Sequence, residues 1–142
     1  MTSWDQNSFR FSPRGAGCYL VTNEVLKNVP EIKEYKIGML NLFLQHTSAG
    51  LSLNENCDPD VREDMETSLQ RVVPEGNHYI HDAEGPDDMP GHVKSSLVGV
   101  SLDIPIRDGR LATGTWQGIY LCEFRRMKHT RSVVATIQGQ KK

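Results

Sequence analysis

Apolar segments with alternating polarity follow one another along this chain, and that order limits the folds open to it. In KIGMLNLFLQH, from Lys36 to His46, apolar residues occur at both even and odd positions. This pattern predicts a central strand buried on both faces. Three further strands are predicted in the last third: GVSLDIPI, GIYLCEF and RSVVATIQG, with Asp108-Gly109 as a tight hairpin turn. Because strands come in runs, the sequence predicts an α+β fold with an antiparallel-rich sheet or sandwich.

Two helices are predicted between these strands. The main one lies in DPDVREDMETSLQRVVP, where Asp58 is a suitable N-cap, Pro59 suits the first turn and Pro74 ends the pattern. A shorter helix is predicted from Met89 to Leu97. LSLNEN is predicted as a short strand before the main helix, and residues 1–12 as a loose arm or an edge strand. All 142 residues are predicted to form a single domain.

Composition narrows the compartment and the partners. Lys and Arg number 16 against 18 acids, a net charge of −2, so no nucleic-acid partner is expected. No apolar run approaches the roughly 20 residues that span a bilayer, so no membrane partner is expected. The N-terminus lacks the layout of a secretory signal, and three scattered cysteines form no CxxC. Reduced thiols and a cytoplasmic location are therefore expected.

Histidines and acids concentrate in the middle of the chain. His46 heads HTSAG, and His81 adjoins an acidic loop that leads to His92. If these three imidazoles converge, they offer a catalytic divalent metal, zinc or magnesium, its nitrogen ligands, with carboxylates to orient them. The alternatives are histidines hydrogen-bonded within loops, or imidazoles that contact phosphate directly.

A second cluster, NENCDPD, lies where the short strand meets the main helix. Glu55 is suited to act as a general base or a magnesium ligand, whereas helix capping alone explains Asp58. Further along, TGTWQGIY offers Trp116 as a flat face for a ring and Gln117 as both donor and acceptor. The alternative is Trp116 in the core and Gln117 satisfying a turn.

Several common kinds of catalytic and binding site are excluded by their missing motifs. The chain has no GxGxxG, no GxxxxGK[ST] and no GxSxG. Dinucleotide-binding, P-loop and serine-hydrolase sites are therefore not expected.

Three long strings resemble the YjbQ family, whose members are secondary thiamine-phosphate synthases. They are LQHTSAGLSLNENCDPDVREDM, YIHDAEGPDDMPGHVKSSLVGVSLDIPI and GRLATGTWQGIYLCEFRR, within the stretch from Gly38 to Gly139. The resemblance implies an α+β homotrimer with pockets at or near subunit boundaries. It also implies an activity that joins hydroxymethylpyrimidine diphosphate to thiazole phosphate and releases pyrophosphate.

The resemblance also carries site residues over to this chain: His46, Ser48, Asn54, Glu55, Asp58, His81, Glu84, Asp88, His92, Trp116, Gln117 and Glu123. We assign Glu55, Asp58 and His81 to catalysis, and Ser48, Asn54, Trp116 and Gln117 to binding a small phosphorylated heterocycle. We assign His46, His81 and His92 to the metal. The alternative functions are a metal-dependent hydrolase of a small phosphorylated metabolite and a non-catalytic trimeric module that binds a metabolite or a metal.

Overall fold

Two antiparallel sheets and a layer of helices make up the computed structural model, which describes all 142 residues. The elements are β1 (Ser3–Arg10), β2 (Gly17–Leu20), α1 (Thr22–Asn28), a 3₁₀ helix (Pro30–Glu34), β3 (Tyr35–Leu44), β4 (Ala49–Glu55), α2 (Pro59–Val72), α3 (Asp88–Val98), β5 (Ser101–Arg107), β6 (Arg110–Leu111), β7 (Gln117–Glu123) and β8 (Ser132–Lys141). One sheet has the order β1-β8-β3-β5-β6 and the other β2-β7-β4, with every pair antiparallel. This architecture confirms the predicted α+β class. No helix combines the length and the apolar character needed to cross a membrane.

The main core lies between the two sheets. Leu40, Leu42 and Leu44 point inward from β3, because alternate residues of a strand share one face. They belong to the same buried cluster as Leu51 of β4 and Leu121 of β7. α1 and the 3₁₀ helix add Val25, Val29 and Ile32 to this cluster. The strand segment predicted for Lys36–His46 therefore supplies the centre of the core.

Helices α2 and α3 cover the other face of the three-stranded sheet. Tyr120, Cys122 and Phe124 point to this face and form a second buried cluster, against which Met65 and Leu69 of α2 pack. Residues 118–123 of β7 are all buried, so β7 is the strand enclosed on both faces. Its C-terminal end, at Glu123, adjoins the candidate functional site.

The prediction that β3 is buried on both faces is wrong for this chain. Ile37, Met39 and Phe43 are 60%, 44% and 46% exposed on the outer face of the five-stranded sheet, and Trp4 of β1 is 63% exposed. Met39 and Trp4 pair with the same residue of β8, Gln138, and so lie in one row across the sheet. Apolar residues at both odd and even positions of β3 predicted that both faces of the strand are buried. In the structure, no other part of this chain covers the outer face.

The N-terminal segment, Asp58 and the Asp108-Gly109 turn each adopt a predicted local structure. Residues 3–10 form the edge strand β1, one of the two alternatives for the N-terminal segment. Asp58 caps α2, since its Oδ1 accepts the Asp60 amide at 2.9 Å. Asp108 and Gly109 have φ of 49° and 77°, which fits a two-residue hairpin turn with positive φ at both positions. Helix α1 was not expected from the sequence; it has seven residues, of which only Val25 is buried.

Candidate functional site

His81, Asp88 and His92 converge at the start of α3. Asp88 Oδ2 lies 2.8 Å from His81 Nε2 and 3.2 Å from His92 Nε2. Asp88 and His92 are four residues apart and so share a helix face, while His81 comes from the preceding loop. The Asp88 side chain is 2% exposed and that of His81 51%, so the cluster combines a buried carboxylate with a solvent-accessible ring. Three donor atoms within 4.8 Å of one another form a set that could hold a metal ion.

The hydrogen bonds of His92 define what its other nitrogen can do. Its Nδ1 lies 2.8 Å from the carbonyl oxygen of Thr47, which only accepts, so Nδ1 carries the proton. In the neutral ring Nε2 then presents a lone pair, 3.2 Å from a carboxylate oxygen of Asp88 that also only accepts. Two acceptors this close require a cation between them, either a proton on the ring or a metal ion. The residue set fits a divalent ion that takes nitrogen and oxygen ligands.

Arg125 holds the Asp88 carboxylate in place. Arg125 Nη1 donates to Asp88 Oδ1 at 2.7 Å, and its Nη2 donates to the carbonyl of Glu84 at 2.8 Å. The guanidinium also lies 3.3 Å from an oxygen of Asp87. One oxygen of Asp88 therefore faces Arg125 and the other faces the two histidines.

A buried ion pair lies behind this cluster. Glu123 and Arg131 are 1% and 4% exposed, and Arg131 Nε and Nη2 donate to the two oxygens of Glu123 at 2.6 and 2.5 Å. Arg131 Nη2 also donates to Ser48 Oγ at 2.9 Å. Glu123 Oε2 accepts the backbone N–H of Arg125 at 3.1 Å, which links the ion pair to the residue that holds Asp88. Ser48, predicted to bind substrate, has its hydroxyl engaged by this network.

The structure does not place His46 with the other two histidines. His46 Nε2 accepts the backbone N–H of Ser132 at 2.7 Å, which leaves only Nδ1 for another partner. Burial, with a contribution from Arg131, lowers the pKa of His46 and favours the neutral ring. His46 and His92 line one open groove of about 470 Å³ together with Ser95 and Ser96. The predicted trio is therefore revised, and Asp88 takes the position in the cluster that we had assigned to His46.

Asn54, Glu55, Trp116 and Gln117 lie at the opposite end of the three-stranded sheet. Glu55 ends β4 and pairs with Gln117 at the start of β7, whereas the His81 cluster adjoins the other ends of these strands. Six steps along β4 at about 3.3 Å each put the two ends roughly 20 Å apart. Within one chain the predicted site therefore divides into two clusters.

Local contacts occupy several side chains of this far cluster. Glu55 Oε2 accepts the Asp58 amide at 3.1 Å, Asn54 Oδ1 accepts the Glu55 amide at 2.8 Å, and Gln117 Oε1 accepts the Gly114 amide at 2.8 Å. Asp58 caps α2, and Gln117 satisfies a turn, as one alternative predicted, but the same alternative was wrong to place Trp116 in the core. Trp116 is 62% exposed, so its ring is free to meet a ligand or a neighbouring molecule.

Three residues of the site were given no specific role from the sequence: Asp88, Arg125 and Arg131. Asp88 and His92 have the i, i+4 spacing that places two side chains on one helix face, and this signal was available in DMPGH. The two arginines belong to a basic stretch after β7, which a solvated edge would also explain. Only the fold shows that they face buried carboxylates.

Several known proteins are similar to this chain over most of its length. A family model described as "UPF0047 protein YjbQ-like" matches residues 7–140. The UPF0047 protein YjbQ of Escherichia coli O157:H7 is 50% identical over 137 residues, which cover 96% of this chain and 99% of that protein. A crystal structure of an uncharacterized conserved protein of the yjbq/upf0047 family from Clostridium acetobutylicum is 38% identical, with a TM-score of 0.77 over 94% of this chain and 98% of that one. A YbjQ-like protein of unknown function from Sulfolobus solfataricus P2, at 22% identity over 99% of this chain and 100% of that one, has a TM-score of 0.87 and shows the shared fold alone.

Proposed function

This chain belongs to the UPF0047 YjbQ-like family, and on that premise we propose that it acts on a small phosphorylated heterocycle at a metal centre formed by His81, Asp88 and His92. The observation that carries the proposal is the pair of imidazole nitrogens around one buried carboxylate oxygen. Because His92 uses Nδ1 to donate to Thr47, its Nε2 lone pair faces an acceptor and calls for a cation. Arg125 keeps the carboxylate oriented for that cation.

The reaction we propose is that of a thiamine-phosphate synthase. The bond between the pyrimidine methylene carbon and the diphosphate oxygen breaks, and pyrophosphate leaves with the electron pair. The lone pair of the thiazole nitrogen then forms the new carbon–nitrogen bond, so no oxidant or reductant is needed. A bound divalent ion would neutralise the charge of the leaving diphosphate.

The residues around the groove bind and orient the substrate in this proposal. His46 keeps Nδ1–H available to donate to a phosphate oxygen, because its Nε2 is already occupied by Ser132. His81, whose ring is half exposed, lies at the solvent side of the cluster. Holding the two rings in a reactive orientation supplies a large part of the rate enhancement for a coupling of this kind.

We further propose that the chain works as a homotrimer. The outer face of the five-stranded sheet exposes Trp4, Ile37, Met39 and Phe43, a set of large apolar side chains that a subunit contact would cover. Trp116 directly precedes β7, at the end of the three-stranded sheet opposite the metal centre of its own chain. If Trp116 stacks a substrate ring at that centre, it must come from a neighbouring copy. Each contact then joins the Trp116 end of one copy to the metal-centre end of the next, and three such contacts can close into a cyclic trimer.

Metal content and synthase turnover test the centre. His81→Ala, His92→Ala and Asp88→Asn should each lower bound zinc or manganese per chain and abolish coupling, measured as thiamine phosphate and pyrophosphate formed. His78→Ala is the matched control, since His78 is an exposed histidine outside the cluster and should retain both properties. Wild-type metal content in all three variants would refute the metal centre, and absence of coupling by the metal-loaded wild type would refute the synthase activity.

Mixing variants tests the shared site. His92→Ala and Trp116→Ala subunits are each expected to be inactive alone. After denaturation and refolding together at equal amounts, about a quarter of the interfaces in a cyclic assembly combine an intact His92 with an intact Trp116. Recovery of about a quarter of the wild-type activity is therefore expected. No recovery would show that one chain supplies both residues, and wild-type activity of Trp116→Ala alone would show that Trp116 has no role at the centre.

A second candidate function is metal-dependent hydrolysis, which is favoured because solvent can reach the same centre. Three protein donors leave room for a water molecule on a metal ion, and the groove beside His92 is open to solvent. A panel of phosphate esters with zinc or manganese separates the two reactions, because hydrolysis releases phosphate without joining two rings. Tight ligand binding with no turnover of any substrate would instead support the non-catalytic binding module.

A further inference from the structure

Helix α3 separates two cavities with different linings. His92, Ser95 and Ser96 face the groove of the candidate metal centre. The other side of the helix faces a separate cleft of about 210 Å³ between α3, the end of α2 and the segment after β7. Its polar lining consists of Gln70, Glu75, Asp87, Lys94 and Arg126, and none of the three candidate metal ligands lines it.

Lys94 is the unusual residue of this cleft. It is 7% exposed, and its ammonium group forms no hydrogen bond and has no carboxylate oxygen within 4.0 Å. Its Nζ lies 5.7 Å from the centroid of the Phe124 ring, and the carboxylates of three acids near the cleft favour its charge from a longer distance: Glu75, Glu66 and Asp87. Charged groups buried to this extent are normally paired, because burial without a partner is costly.

The acidic groups around the cleft already have partners. Glu75 binds the guanidinium of Arg126. Asp87 Oδ2 accepts the Arg126 amide at 2.8 Å and lies 3.3 Å from Arg125 Nε. Glu66 of α2 accepts a hydrogen bond from Gln70 at 3.3 Å. The cleft therefore presents a largely buried lysine whose ammonium group has no carboxylate at ion-pair distance.

We propose that this cleft is a second binding site, in which a small oxyanion, a phosphate or carboxylate group, pairs with Lys94. A volume of 210 Å³ equals that of about seven water molecules at roughly 30 Å³ each, which suits a small anion and not two coupled heterocycles. Gln70 lies at the same cleft and has an amide that could donate to a ligand oxygen. The site is independent of the proposed reaction, since it lies on the opposite side of α3 from His92.

Calorimetric titration with inorganic phosphate and, separately, with acetate tests the site at constant ionic strength. Saturable binding to the wild type is expected, with at least a tenfold loss of affinity in Lys94→Met, which keeps the length of the side chain and removes its charge. Lys27→Met, at an exposed lysine of α1, is the matched control and should bind as the wild type does. His92→Ala should also retain binding, and the stronger of the two probes identifies the preferred oxyanion.

The proposal is overturned if neither probe binds saturably, if Lys94→Met binds as tightly as the wild type, or if His92→Ala loses the binding. Equal losses in Lys94→Met and Lys27→Met would show a general charge effect and also overturn it. A measurement on the wild type alone covers the case in which Lys94→Met fails to fold. In amide and side-chain NMR spectra, phosphate or acetate should shift resonances of Lys94, Gln70 and Phe124 first, and shifts centred elsewhere would rule the site out.

Discussion

Replacing Arg131 with methionine should destabilise the fold by about 3–5 kcal/mol, because it leaves Glu123 buried without its counter-charge. The structure supports this magnitude directly. Arg131 donates two charge-assisted hydrogen bonds to Glu123, at 2.6 and 2.5 Å, and bonds of this type contribute about 1.5–3 kcal/mol each. The bond to Ser48 Oγ adds about 1 kcal/mol more. Two backbone amides still donate to Glu123 in the variant, which favours the lower end of the range.

Urea unfolding at a fixed protein concentration measures this free energy, and a double-mutant cycle assigns it to the pair. Glu123→Gln combined with Arg131→Met removes both charges, so the double variant should be less destabilised than the sum of the two single variants. Lys141→Met is the matched control, since Lys141 and Asp5 form a more exposed pair at 3.5 Å that contributes about 0–1 kcal/mol. A loss below about 1 kcal/mol for Arg131→Met, or strictly additive effects in the cycle, would refute the reasoning.

Three further results are expected. Leu40→Ala should cost about 2–5 kcal/mol in unfolding experiments because Leu40 is fully buried. Met39→Ala, on the exposed face of the same strand, should have little effect on unfolding and should weaken the proposed trimer in analytical ultracentrifugation; a large loss of stability in Met39→Ala would contradict this. A chelator should lower the melting temperature of the wild type and leave that of Asp88→Asn unchanged, and equal shifts in both would argue against the metal centre. Burial lowers the pKa of His46 in the folded state, so the stability that the neutral ring contributes is complete above about pH 6.5 and is lost as the pH falls from there. Between pH 7 and pH 5, the unfolding free energy of His46→Gln should therefore decrease less than that of the wild type, and an equal or larger decrease would contradict the lowered pKa.

Features set by local chemistry could be predicted from the sequence. Asp58 and Pro59 mark the start of α2 because the cap and the first turn have residue preferences that act over a few positions. Asp108 and Gly109 mark a hairpin turn because few residues tolerate positive φ twice in succession. These preferences require no knowledge of the rest of the fold.

Features that depend on distant partners could not be predicted in the same way. The spacing of Asp88 and His92 places both on one helix face, but no local pattern in the sequence shows that His46 lies apart from His81. The separation follows from the Ser132 amide, which occupies His46 and lies 86 positions away along the chain. Likewise, apolar residues on the outer face of β3 predicted a buried face, but apolarity alone does not reveal whether another part of the chain packs on it.

The end of β7 connects stability to the candidate centre. Glu123 receives the backbone N–H of Arg125, and the side chain of Arg125 holds one oxygen of Asp88 while the other oxygen faces the two imidazoles. A metal ligand must be held close to its working geometry by the groups that support it. The buried ion pair of Glu123 and Arg131 therefore does more than stabilise the sheet: it fixes the backbone from which Asp88 is oriented. It follows that Arg131→Met should weaken metal binding as well as folding, although Arg131 donates no hydrogen bond to any of the three candidate ligands.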